Sequence, residues 1–309
     1  MVKIRTIKRI TLVLLALLTF SFFGCADKTN QDISKDSQVL AGYEKLLQAA
    51  NEKDVLAFID QNISQVSRET ADKLVNGYEN LQKNALEDLN IQFSEGKEEK
   101  WTVIIPQGLQ KEFGYSFTME KIDSIKDKQL REMLQRVRDT GYLVRTDEGM
   151  YYPVINYDFY TQYSRYLTDQ MKDYYLIMAH ESKTPACVDA ALLIKPDDIL
   201  KRIEKQEIYI KNYPGSSKLG DIKVLYIDYV SFYLFGADNT PAFSYNSKAL
   251  TDNFKQSYQN FQLTSTILGK EIAPYFETLK NEGYILTDKV ATERNKVLEK
   301  IKKDIEYKR

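Results

Sequence analysis

VLAGYEKLLQAA, residues 39–50, places apolar side chains at Val39, Leu40, Tyr43, Leu46, Leu47 and Ala50, the 3.6-residue spacing of an amphipathic helix. The same period recurs outward from it. It runs through Val55, Ile59, Ile63 and Val66, and again through Leu74, Val75, Tyr78, Leu81, Ala85 and Leu89. The N-terminal third therefore reads as three helices, broken near 51–53 and near Ser67. At Lys100–Ile105 the period changes: Trp101, Val103 and Ile105 alternate up to Pro106, which predicts one short strand. A helix follows from about Met119 to Thr140 and stops at Gly141. Tyr142–Thr146 and Met150–Ile155 then flank Asp147-Glu148-Gly149, a β-hairpin with a three-residue loop in which Gly149 takes the left-handed conformation. Beyond it, helices are expected over Tyr157–Glu181, Pro185–Ile194, Asp197–Asn212, Ser216–Phe235, Thr251–Leu268, Glu271–Asn281 and Thr287–Tyr307. The fold class is mainly α: a multi-helix bundle or helical array with a small β-hairpin and one short extra strand. No period of 20 to 50 residues repeats along the chain. Residues 38–309 read as one predominantly helical domain, with 94–100 as the place where it could be subdivided.

Composition bounds the function. The chain has 309 residues, with 43 Lys plus Arg against 44 Asp plus Glu, 13 Gly, two Cys and a single His. Residues 1–24 carry four basic groups and no acidic ones, so without them the net charge moves from −1 to −5. A mildly acidic body argues against nucleic acid as a partner, because the phosphate backbone demands a basic surface. Scarce glycine disfavours phosphate-cradling loops. One histidine excludes a poly-His zinc site.

The N-terminus is an address. Lys3, Arg5, Lys8 and Arg9 precede a largely apolar run from Ile10 to Phe23, too short to span a bilayer comfortably and built like a secretory signal. Phe22-Phe23-Gly24-Cys25 resembles the lipobox of bacterial lipoproteins. That resemblance implies a signal peptide over 1–24, cleavage before Cys25 and a diacylglycerol thioether on its sulfur. Two buried acyl chains give stable anchoring, so membrane contact is expected through the lipid on Cys25. Residues 25–37 are polar (CADKTNQDISKDS) and read as a flexible tether. A second, local resemblance lies in Glu207–Ser217, EIYIKNYPGSS. It is similar to the Tyr-Pro-x-Ser turn between paired helices of tetratricopeptide-like envelope proteins, and it implies a helical hairpin. Pro214 would stop the first helix, Gly215 permit the reversal and Ser216 cap the second.

Candidate chemistry is sparse. Asp169, Asp173 and His180 share a stripe of the expected 157–181 helix, but seven residues separate Asp173 from His180, roughly 10 Å of rise. Cys187 falls in the expected first turn of a helix opened by Pro185, where a thiol pKa is lowered; the alternative is a small packed thiol. Tyr157, Tyr160 and Tyr163 belong to an aromatic cluster spread over an arc wider than an ordinary amphipathic face. They serve either a core or a binding face for an envelope protein or peptide, with Asp173 supplying a polar contact. The loop from Gly236 to Tyr245 offers Asp238, Asn239 and Tyr245 as a second candidate. No cofactor, metal or catalytic set is indicated. The expectation is a lipid-anchored extracytoplasmic bacterial protein that binds or scaffolds in the cell envelope, not an enzyme. The alternatives are the solute-binding lipoprotein of a transporter and, third, an envelope hydrolase using His180 with Asp173 or Glu181.

Overall fold

The computed structural model describes residues 28–93, 104–147 and 149–306. The signal segment 1–24, Cys25 and the stretch 94–100 lie outside them. The protein is mainly α, with short antiparallel strand pairs. No helix among the described residues is long and apolar enough to cross a membrane.

The first three helices stand where the periodicity puts them: α1 (Lys28–Ala49), α2 (Glu52–Asn62) and α3 (Arg68–Phe93). Asn51 caps α2, its side-chain oxygen accepting from the amides of Lys53 and Asp54 at 3.1 and 3.3 Å, which satisfies donors a helix start leaves free. Much of the expected tether is not loose, because α1 begins at Lys28. Its anchor is Asp36, whose carboxylate accepts from the Ser67 amide at 3.1 Å, the Ser67 hydroxyl and Thr70 Oγ1 at 2.9 Å at the start of α3. Gly77 lets α1 lie close on α3, since a Cβ there would sit 2.8 Å from the Tyr43 ring; the Tyr43 hydroxyl donates to the Leu74 carbonyl at 2.5 Å.

The strand expected over Lys100–Ile105 is helical at its last two residues. Residues 100–103 lie outside the described residues, and Ile104 opens α4 (Ile104–Phe113). Pro106 sits in its first turn, where an amide has no helical acceptor to lose. The expected helix 119–140 is a 3₁₀ turn, Met119–Ser124, followed by α5 (Lys128–Asp139), which Asp127 caps through the Leu130 amide at 3.0 Å. Strands β1 (Tyr142–Asp147) and β2 (Met150–Ile155) form the expected hairpin, Tyr142 opposite Ile155. Asp147 pairs with Met150, so the loop has two residues, with Gly149 at φ 80°.

The long helix expected over 157–181 is two elements: a 3₁₀ segment, Tyr157–Tyr163, and α6 (Asp169–Lys183). The break comes from outside the segment. Asp72 of α3 accepts from the Thr168 amide at 3.0 Å and its hydroxyl at 2.5 Å, and this holds the chain extended at the start of α6. The expected helix 185–194 is a small hairpin, β3 (Cys187–Val188) and β4 (Ala191–Leu192). Asp189 and Ala190 turn it with φ of 49° and 55°. Their carbonyls are held by Asn239, whose side chain donates to Asp189 O and whose backbone amide donates to Ala190 O, both at 2.8 Å. The chain then folds back as α7 (Pro196–Asn212) and α8 (Leu219–Phe235), passes through β5 (Gly236–Ala237) and β6 (Thr240–Pro241), and ends in α9 (Asp252–Gln259), α10 (Ile267–Asn281) and α11 (Asp288–Asp304). Helix α9 stops short of the expected Leu268 because Glu207 of α7 receives the first amides of α10. Its carboxylate accepts from Ile267 N at 2.7 Å, Leu268 N at 2.9 Å and the Tyr226 hydroxyl at 2.7 Å, a negative charge at a helix N-terminus.

Two apolar clusters form the interior. One gathers α1 to α6 with the β1–β2 hairpin, and the other gathers α7 to α11. Both flanks of 94–100, Phe93 and Ile105, belong to the first. Tyr209 of α7 and Ile222 of α8 also belong to it, and Ile210 touches both clusters, so the α7–α8 pair joins them.

Within the first cluster lies a fully buried carboxylate, Glu79 of α3. Its Oε1 accepts from Tyr174 at 2.8 Å, Tyr157 at 3.1 Å and the Lys83 ammonium at 2.8 Å; Oε2 accepts from Tyr175 at 3.0 Å and the Lys218 ammonium at 2.8 Å. Lys218 is itself buried and lies over the Tyr174 ring, 4.8 Å from its centroid. Burial alone pushes the Glu79 carboxyl up; the two ammonium groups more than reverse this and hold it below its ordinary value. Removing one charge of a buried pair strands the other. Glu79→Gln should therefore cost about 3 kcal/mol, read as a lower urea midpoint at unchanged denaturant slope. A midpoint within error of wild type would refute this.

Candidate binding groove

The sequence candidates divide sharply. Tyr157, Tyr160 and Tyr163 are buried and form core, which corrects their reading as a binding face. The Tyr157 hydroxyl donates to Glu79, that of Tyr160 to Gln82 Oε1, and that of Tyr163 to Asp60 at 2.7 Å. The Tyr160 ring stacks on Tyr175, with centroids 4.6 Å apart. No hydroxyl of the three faces outward for a partner. Asp238, Asn239 and Tyr245 lie apart from them, in the loop packed against the β3–β4 hairpin. The Tyr245 hydroxyl donates to the Asp238 carbonyl at 2.9 Å, and Thr240 Oγ1 accepts from the Leu192 amide at 2.6 Å. Asn239 is engaged by the hairpin turn, so the loop acts as a connector. Cys187 lies in β3, away from any helix start; burial, then Asp189 and Asp238, push its thiol up, opposite to the activation a helix N-terminus would give.

What the structure does bring together lies between α6 and α7. A groove of about 410 Å³ is lined by Asp173, Leu176, Ile177, His180 and Glu181 from α6, and by Arg202, Lys205, Gln206, Ile208 and Tyr209 from α7. Asp173 and His180, read from sequence as one stripe of a helix, both line it. Its rim carries exposed aliphatics: Leu176 is 47% and Ile208 51% accessible.

Most polar groups of the wall are engaged. Arg202 donates through Nη1 to Glu181 Oε2 at 3.0 Å and to the Tyr229 hydroxyl at 2.6 Å, and through Nη2 to the Thr184 carbonyl at 2.8 Å. The Tyr229 hydroxyl donates in turn to Glu181. Burial nonetheless leaves the Glu181 carboxyl above its ordinary value. Asp173 accepts from Tyr213 at 2.7 Å, a bond that pushes the Tyr213 hydroxyl up to about 12. His180 is exposed, and desolvation followed by the Arg202 and Lys205 charges lowers its pKa, so the imidazole is neutral at pH 7.

The exception is Gln206. It is 1% accessible, and among the described residues neither its Nε2 nor its Oε1 has a partner. Buried amides are almost always paired, and leaving one unpaired costs about 1–3 kcal/mol. Gln206 continues the buried face of Ile199 and Ile203 on α7, and a polar residue inside that stripe is the signal in the sequence that marks this position. Arg202, one turn earlier on the same face, carries the same signal; Lys205, Leu176 and Ile208 carry none, because only the packing of α6 on α7 makes them neighbours.

Among the described residues no group of three or more His, Cys, Asp or Glu side chains could hold a metal ion. Comparison of the chain with family models, curated proteins and solved structures found no match.

Since the buried amide of Gln206 has no hydrogen-bond partner among the described residues, Gln206→Met should stabilise the protein by about 1 kcal/mol. Thermal and urea unfolding would show this as a raised midpoint. A fall in both would mean that the amide is already satisfied.

Proposed function

We propose that this chain is a lipid-anchored, extracytoplasmic binding component of a bacterial cell envelope, and that it holds its partner in the α6–α7 groove. The observation that carries the binding site is the groove itself, where exposed Leu176 and Ile208 meet His180 and Lys205 across α6 and α7. Ligand sites combine a largely apolar lining with a few polar groups. The lipobox-like Phe22-Phe23-Gly24-Cys25 supports the anchor, with Cys25 as the acylated residue and the membrane as the first partner.

Binding is favoured over hydrolysis by the state of the carboxylates. A hydrolase using His180 needs a carboxylate free to orient or assist the imidazole. Glu181 is held by Arg202 and Tyr229, and Asp173 accepts from Tyr213. The transporter-receptor alternative rests on size and anchor alone, and the helical architecture adds no support for it.

The test uses the full-length protein in its native cells, with a photoreactive amino acid placed at Leu176, at Ile208 or, as a control on the hairpin, at exposed Met150. Adducts with an envelope component are expected from 176 and 208 and not from 150. Their absence at both groove positions would reject the site. In the same cells Cys25→Ser should move the protein out of the membrane fraction; retention there would reject the anchor.

A further inference from the structure

We propose that the anchored protein stands end-on to the bilayer on α1. The pole where α1, α3 and α6 begin faces the lipid, and the α6–α7 groove runs away from it, with Asp173 nearest the membrane and His180 farthest. This rests on the lipid anchor at Cys25 and names the end of the fold that the anchor holds to the bilayer.

Three helices start at that pole, and side-chain bonds fix their register. Asp36 of α1 accepts from Ser67 and Thr70 at the start of α3, and Tyr43, seven residues on, donates to the carbonyl of Leu74, seven on from Ser67. The pairing advances equally on both, so α1 and α3 are parallel. Asp72 of α3 holds Thr168 at the start of α6, and Glu79, seven on, accepts from Tyr174 and Tyr175. Helix α6 is therefore parallel to both. Helix α7 returns antiparallel, since Asp173 meets Tyr213 just past its end and Glu181 meets Arg202 nearer its start. At about 1.5 Å per residue, this register puts Asp173 roughly 12 Å and His180 roughly 22 Å above the level of Asp36.

Helix α1 overhangs the start of α3. It begins at Lys28, eight residues before Asp36, a rise of roughly 12 Å. Only Ala26 and Asp27 separate Lys28 from Cys25 in the sequence, so acyl chains on Cys25 leave from the overhanging end. Measured from Lys28, the groove then occupies levels of roughly 24 to 34 Å.

Lying along α1 would gain the body nothing. Binding flat to a membrane surface needs an apolar face or a cluster of cations. The outward face of α1 presents Ser37, Gln38, Ala41, Glu44, Lys45 and Gln48, one cation against one acid and no large apolar side chain. At the pole, exposed Arg68 and Arg165 are matched by exposed Glu69 and Asp169. Charge does not draw this end onto the lipid, so the direction of α1 sets the posture. The partner it suits is an envelope component that reaches up to the groove, not one lying among the headgroups.

The probe is the full-length lipidated protein carrying Cys187→Ser, bound to phosphatidylcholine vesicles that hold a headgroup-labelled acceptor lipid. A donor dye is placed in turn at Ser64→Cys, Leu176→Cys and Lys183→Cys, all exposed positions. Lys183 lies roughly 28 Å above the start of α3 in this register, so energy transfer should fall from 64 through 176 to 183, by about threefold overall or more. A flexible Gly-Ser insert of about ten residues between Asp27 and Lys28 should flatten that gradient, because it uncouples the body from the anchor. Equal transfer without the insert, strongest transfer from 176, or a gradient unchanged by the insert would overturn the posture and leave the anchor standing. Failure to float with the vesicles at all would reject the anchor, and the posture with it.

Discussion

A carboxylate removed from water must find enough donors to replace its hydration, and Glu79 sets that demand at the centre of the first cluster. Three tyrosine hydroxyls and two ammonium groups meet it. They come from α3 itself, the 3₁₀ segment, α6 and the turn before α8, so one side chain fixes the mutual positions of four pieces of the chain. A buried ion pair is not a source of net stability in itself. Its effect is discrimination: any packing that displaces Lys218 or a tyrosine leaves a charge or hydroxyl unanswered.

The same device recurs in a chain with 22 tyrosines. Tyr142 donates to Glu52, Tyr163 to Asp60, Tyr229 to Glu181 and Tyr226 to Glu207. Tyrosine fills apolar space with its ring and delivers one donor at the end of it, which lets an interior hold acids without ordered water. Burial raises the pKa of these hydroxyls, so they remain donors across the physiological range. The satisfaction is not complete: among the described residues Asn76 Oδ1, the Tyr275 hydroxyl, Arg294 Nε and both polar atoms of Gln206 are buried without a hydrogen-bond partner.

The boundary between what was legible in the sequence and what was not follows the origin of each constraint. The stripes at Val39–Ala50 and Leu74–Leu89, the β1–β2 hairpin and the reversal between α7 and α8 are local patterns, and each is present, although α8 starts at Leu219 after Lys218 and Ser216 does not cap it. The failures are places where a distant residue decides. Helical spacing runs unbroken through Tyr157–Glu181, yet Asp72 seizes Thr168 and divides it. One clue was visible, since Tyr157, Tyr160 and Tyr163 recur every third residue, the period of a 3₁₀ turn. Pro185 suggested a helix start, but Asn239, fifty positions on, stabilises a hairpin turn instead. Of the site, Asp173 and His180 were legible as a shared stripe. The partners across the groove were not, because the register of α7 on α6 is written in no single segment.

Lys218 reaches Glu79 from the turn before α8, on the far side of the chain from the helices it completes. Synthesis delivers the chain from its N-terminus, so α1 to α6 emerge with the three tyrosines but with the half-exposed Lys83 as the only ammonium beside Glu79 among the described residues. The second ammonium arrives with the opening of α8, and α8 packs against α7 and α11. The first half of the molecule is therefore completed by the second, since Lys218, Tyr209 and Ile222 reach its interior only once α7 and the start of α8 have been made.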